Sequence, residues 1–210
     1  MQRQEASHEP CSADQRRHPP RRAGRTDHVV TLEQTLRTTP HDAWDACTNP
    51  ERLGRWLEPV EGDLGVGGAY RLTERHPRDH RSLRQARAFR ITWTHGDDAS
   101  TVDVTFVRDG ADTTIQLRHT ISDNDHWETY GPAATGVGWD GSLLALTLLL
   151  SGNPGSGRAG MTAFDNTEAG RAFVADTAAA WQQAHVASGV APDQARASSE
   201  RTVAFYTTES

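Results

Sequence analysis

Residues 126–151, HWETYGPAATGVGWDGSLLALTLLLS, constrain the fold of this chain more than any other stretch. Tyr130, Ala134, Val137, Gly141, Leu144 and Leu148 recur at spacings of three and four, which predicts one long helix. Within 143–150 the only polar residue is Thr147. A helix that is apolar nearly all round has to be covered on more than one side. The run is short of the ~20 residues a bilayer span needs, so the expected cover is protein and no membrane partner is expected.

The segments before this helix supply candidates for the cover. Residues 28–37 alternate, with Val30, Leu32 and Leu36 on one face, as in a half-buried strand. Thr39-Pro40-His41-Asp42 is a helix start, with a cap, a proline at the first helical position and an acid near the positive end. Asn49-Pro50-Glu51 repeats that signal for a second short helix ending near Trp56-Leu57. Strands are predicted over 60–64 and 69–74 around a glycine turn, over 86–94 with Phe89, Ile91 and Trp93 on one face, and around Val102, Val104 and Phe106. Asp109-Gly110 marks a hairpin turn into a strand over 113–121, whose apolar face carries Ile115, Leu117, His119 and Ile121. Residues 75–84 read as a charged loop and 152–165 as a mobile linker or lid. Two further helices are expected, over 166–188 between Thr167 and Gly189 and from Pro192 to about 206.

This order is α+β: a strand, two short helices, a run of antiparallel strands and one long helix that the sheet can wrap. The C-terminal helices have an obvious apolar target in the outer side of 143–150, where each buried leucine would contribute about 1.5–3 kcal/mol. A homodimer interface is the competing cover. Three units follow: a disordered tail over 1–27, the wrapped-helix domain over 28–152, and a linker with a two-helix extension over 153–210.

Charge and motif content exclude several functions. Net charge is −6, and residues 1–27 carry a balance of +2, so the remainder stands at −8. Nucleic acid is not an expected partner of so acidic a domain. Gly67-Gly68 does not form a phosphate loop, because no helix follows it and the chain has no lysine. His76 and His80 do not form a metal pair, because Pro77 opposes the helix they would need. No metal site, cofactor or catalytic residue is assigned. Glu58, Asp63, Glu128 and Asp140 read as solvent-facing. With Cys11 and Cys47 alone no disulfide framework is indicated, and the cytoplasm is the expected compartment. A secretory leader is not visible, since no apolar region follows RRHPPRR.

The segments TPHDAWDACTNPERLGRWLEPVEGDLGVGG, TWT, TTIQLRHT and YGPAATGVGWDGSLLAL resemble, in order and spacing, the START-like helix-grip (SRPBCC) superfamily. The branch they resemble is that of homologues of the activator of the heat-shock-protein-90 ATPase. The likeness covers about residues 28–152 and departs from the pattern at 75–90. It implies a curved antiparallel sheet gripping the long helix, with a cavity for a hydrophobic molecule between them.

Residues expected to line that cavity are Trp44, Trp56, Tyr70, Trp93, Phe106, His119, Tyr130, Val137 and Trp139. Three functions remain open. The first is binding of a small hydrophobic molecule without defined catalysis. The second is an interaction role, as a co-chaperone-like protein or partner of a regulator. The third is a cyclase or hydrolase on a polyketide-like substrate, with His119 as base.

Overall fold

The computed structural model describes residues 27–62, 69–72, 78–84, 87–95, 98–152 and 158–208. The expected disordered tail up to residue 26, the glycine turn, Asp63 and Cys11 lie outside these residues, while Asp27, counted in that tail, opens the first strand. Strand β1 (Asp27–Leu36) leads into helices α1 (Pro40–Thr48) and α2 (Pro50–Trp56). Their start signals work as the sequence suggests. Asp42 N–H donates to Thr39 Oγ1 at 3.3 Å, and Glu51 N–H to Asn49 Oδ1 at 3.0 Å. Arg52 joins the two helices by donating to Asp42 Oδ1 at 2.7 Å and Asp45 Oδ2 at 2.8 Å.

Six strands follow: β2 (Val60–Gly62), β3 (Ala69–Leu72), β4 (Arg78–Arg84), β5 (Ala88–His95), β6 (Asp98–Asp109) and β7 (Asp112–Ser122). All seven form one antiparallel sheet in the order β1-β7-β6-β5-β4-β3-β2. Strand β7 alternates buried and half-buried residues along its whole length. Register then aligns the inward side chains in rows. Val30, His119, Val102 and Ile91 form one row, and Leu32, Leu117, Val104 and Phe89 another.

Where the charged loop was expected, Arg78–Arg84 is a strand paired with both β3 and β5. Its pairing runs through backbone groups, which any sequence without proline supplies, so the missing apolar alternation did not prevent it.

The predicted single long helix is two. Helix α3 (Asp125–Tyr130) is capped by Asn124, whose Oδ1 accepts from Trp127 N–H at 2.8 Å. It ends at Gly131, with φ +57°, and Pro132 precedes α4 (Ala133–Leu150). Proline has no N–H to continue the helical ladder and suits a helix start instead. Helix α4 is long and apolar enough to cross a membrane by composition alone. Here it is a core helix. Trp139, Leu143, Ala145 and Leu146 are buried in the same cluster as the sheet's inner face. This is the helix-grip arrangement.

Residues 158–165, expected within a linker, form helix α5 (Arg158–Asp165), followed by α6 (Glu168–Ala187) and α7 (Pro192–Thr208). Thr167 caps α6 by accepting from Gly170 N–H at 3.0 Å, and Gly189, with φ +101°, follows its end. Helices α6 and α7 do not take the outer side of 143–150 as their main target. They cross α4 in its first half, where Val137 packs with Val174, Ala178, Val203 and Tyr206. The Trp181 indole lies so close over Gly136 that a Cβ there would sit 2.2 Å from it, and its N–H donates to Asp140 Oδ2 at 2.7 Å. A glycine for close approach and a carboxylate for the indole N–H make this the favoured crossing, whereas leucines would hold the helices apart. Asp140 is therefore buried, 6% exposed, not solvent-facing. Glu58, after α2, is likewise buried.

Candidate functional site

The cavity lies between the inner face of the sheet, the α1–α2 pair and α4. The strands contribute Phe89, Ile91 and Trp93 from β5, Val102 and Val104 from β6, and Ile115 and Leu117 from β7. Cys47, Leu53, Trp56 and Leu57 close it from the short helices, and Trp139 and Leu143 from α4. Its free volume is about 40 Å³. That is room for a few water-sized groups, well under the several hundred Å³ of a typical drug-sized site.

Of the residues expected here, Trp56, Trp93 and Trp139 line the space. Trp93 and Trp139 meet edge to face, with centroids 5.6 Å apart. Trp44 and Phe106 stand one layer back, packed with each other at 5.9 Å and with Phe89 at 6.0 and 6.1 Å. The Tyr70 side chain lies outside the described residues. Tyr130 and Val137 face elsewhere: Tyr130 contacts His126 and Phe205, and Val137 packs against α6. The Gly131-Pro132 break moves Tyr130 onto a separate helix, so it does not share the phase of Trp139. The walls missed as site residues are Cys47, Phe89 and eight ordinary aliphatic side chains, Leu53, Leu57, Ile91, Val102, Val104, Ile115, Leu117 and Leu143. Strand alternation points most of them inward, and residue type offers nothing to separate a cavity wall from a packed core.

The indole N–H groups of Trp56 and Trp139 are committed inside the protein. Trp56 Nε1–H donates to Ala46 O at 3.0 Å and Trp139 Nε1–H to His119 Nδ1 at 3.1 Å. An indole N–H can only donate. His119 Nδ1 is therefore the acceptor, and its proton resides on Nε2. Nε2 lies 2.9 Å from Ser100 Oγ, and that hydroxyl donates to Trp93 O at 3.2 Å. The chain Trp139, His119, Ser100, Trp93 satisfies every member and leaves His119 no free lone pair.

Burial lowers the His119 pKa to about 4. The folded value is below the unfolded one, so neutral His119 gives full stability above about pH 6.5, and stability falls as the pH drops toward 4. His119→Gln keeps an acceptor for Trp139 and a donor for Ser100 without a titrating group. In urea denaturation between pH 7 and 4, this variant is expected to lose about 3 kcal/mol less than wild type. Parallel curves would show that His119 does not titrate between folded and unfolded states.

Known proteins place this geometry. Residues 37–151, over half of the chain, match the family model described as Activator of Hsp90 ATPase homolog 1-like protein. The crystal structure of CalU16 from Micromonospora echinospora is similar at 22% identity and a TM-score of 0.57, over 74% of this chain and 89% of CalU16. The solution structure of CalU16, at 20% identity and a TM-score of 0.58, covers 87% of this chain and 86% of its own. That overlap runs past the family segment into the C-terminal helices. An HSP90 activator from Plasmodium falciparum, PFC0360w, is similar at 21% identity and a TM-score of 0.52, over 60% of this chain and 97% of its own. The Aha1 dimer from Colwellia psychrerythraea gives 15% identity and a TM-score of 0.51, over 58% and 95%. At these identities the likeness establishes a shared fold. No curated protein matches the chain significantly. A strand followed by two capped helices, an antiparallel sheet, a gripped helix and the match over 37–151 assign the chain to the Activator of Hsp90 ATPase homolog 1-like family.

Proposed function

We propose that the protein binds a small apolar molecule in the cavity between the sheet, α2 and α4. The observation that carries this reading is the lining. Aliphatic side chains and the rings of Trp56, Trp93 and Trp139 surround the space, while the N–H groups of Trp56 and Trp139 are bonded to Ala46 and His119. Such walls recognise shape and apolar area rather than hydrogen bonds. At about 40 Å³ the cavity suits a ligand of few heavy atoms. A larger one has to displace part of that wall.

Thermal shift and native mass spectrometry with a graded series (xenon, benzene, naphthalene, decanoic acid) test this. A bound member present at a hundred times its Kd stabilises the protein by about 2.7 kcal/mol. Val104→Leu adds a methylene to the cavity wall and is expected to weaken that binding by about 1–3 kcal/mol. Absence of a shift with every member would overturn the reading.

A second reading is favoured by the family itself. As a co-chaperone-like protein, the chain would act on a heat-shock ATPase or pair with a regulator or a second copy. Adding it to a purified Hsp90 and measuring ATP turnover tests this, and an unchanged rate with no complex on gel filtration rejects it. The cyclase or hydrolase reading has less support, because His119 Nδ1 is occupied by Trp139 and its basicity is reduced by burial. The thiol of Cys47, buried and in no disulfide, fits the reducing cytoplasm proposed as its compartment.

A further inference from the structure

The C-terminal helices meet the grip core at a second place besides Trp181. His28 of β1 stacks flat on Trp127 of α3, with centroids 4.1 Å apart and planes within 8°. Its Nε2 is paired with Asp123 Oδ1. His185 of α6 also meets the Trp127 ring, edge-on at 6.5 Å. The His185 ring also covers Gly131, where a Cβ would come within 2.6 Å of its Cε1. His185 is 4% exposed. Two imidazoles from distant parts of the chain thus contact one indole, one held by a carboxylate and the other buried at an interface between helices.

We propose that this ring stack is a pH-sensitive clasp: with His185 neutral, α6 closes over Gly131 and α3, and protonation of His185 opens it. Burial disfavours a charge on His185, and coulombic repulsion from His28 disfavours it further, so both push its pKa down. The open form, with His185 in water, takes up its proton at an ordinary histidine pKa. Acidification below about pH 6.5 therefore favours the open form, by up to about tenfold per pH unit for one proton.

The charged and titratable groups on the elements around His185 are these. Strand β1 brings Asp27, His28 and Glu33, and the turn before α3 brings Asp123. Helix α3 brings Asp125, His126, Glu128 and Tyr130, and α6 itself Glu168, Arg171 and Asp176. Helix α7 brings Asp193, Arg196, Glu200, Tyr206 and Arg201, whose Nε donates to Thr129 O at 2.7 Å, and α4 brings Asp140, which accepts from Trp181. Opening would uncover the first half of α4, where Gly136, Val137 and Asp140 now lie under α6.

Hydrogen exchange on the full chain at pH 7.5 and 5.5, corrected for intrinsic rates, tests the clasp. Amides of α6 are expected to lose about tenfold in protection at pH 5.5 relative to those of β7. His185→Gln should abolish that difference. Histidine NMR on the wild type supplies a readout that needs no variant, with the His185 midpoint expected below 6.5. His28→Asn should move that midpoint upward, since it removes the repulsion from His28. A wild-type midpoint at or above 6.5, or equal acid loosening of α6 in wild type and His185→Gln, would overturn the proposal.

Discussion

Leu146→Asp is expected to leave the chain unfolded in water at 25 °C, while Leu148→Asp, two residues on, folds. Leu146 has no exposed surface and belongs to the main core cluster, with Trp139 and Leu143 on the same side of α4. Removing a buried leucine side chain costs about 2.7–5 kcal/mol, and an unpaired carboxylate in that position adds several more. A domain of this kind holds about 5–15 kcal/mol in total. Leu148 is half-buried, so an aspartate there reaches water and should cost about 1 kcal/mol. Circular dichroism and urea denaturation of the two variants read this directly. If the midpoint of Leu146→Asp matched that of Leu148→Asp, the sheet would not grip α4 at that position.

Trp181→Ala should cost about 3–5 kcal/mol, because it empties the indole site over Gly136 and removes the donor to Asp140. Gly136→Ala attacks the same contact from the other side. Its new Cβ would sit 2.2 Å from the indole, which is rigid and 1% exposed, so the indole must move as a whole. Overpacking of that kind costs about 1–3 kcal/mol, against about 1 kcal/mol gained in helix propensity. The two changes are therefore not additive. In a Trp181→Ala background, Gly136→Ala should become neutral or stabilising by up to about 1 kcal/mol. Additive losses in the four-way cycle would show that the indole does not rest on Gly136.

Much of this architecture is legible in the chain because the relevant signals are local. Thr39-Pro40, Asn49-Pro50 and Thr167 cap helices within three residues of themselves, and the alternation of 113–121 places His119 inward without knowledge of any neighbour. Strand β4 was not legible. Its residues carry charge instead of alternation, and it is held by ladders to β3 and β5 that its own sequence does not announce. The wall residues were only partly legible. Trp56, Trp93 and Trp139 attract notice by size, whereas the aliphatic positions beside them look like any core. Tyr130 and Val137 share a stripe with Leu144 and Leu148, but periodicity does not say whether that stripe meets the sheet, and the Gly131-Pro132 break takes Tyr130 onto another helix.

The sequence by itself determined that a helix lies within 126–151 and needs cover on several sides over 143–150, that most of the strands before it alternate toward that cover, and that the chain resembles the helix-grip superfamily. Tertiary structure alone decided how the helix is turned. Trp139, Leu143 and Leu146 go to the sheet, and Gly136, Val137 and Asp140 go to α6. It also decided the state of His119, whose partners stand nineteen and twenty residues away on different elements. Both outcomes depend on distances between segments remote in the chain. Local propensity acts over a few residues, and a buried polar group is defined by whichever partners the fold brings to it.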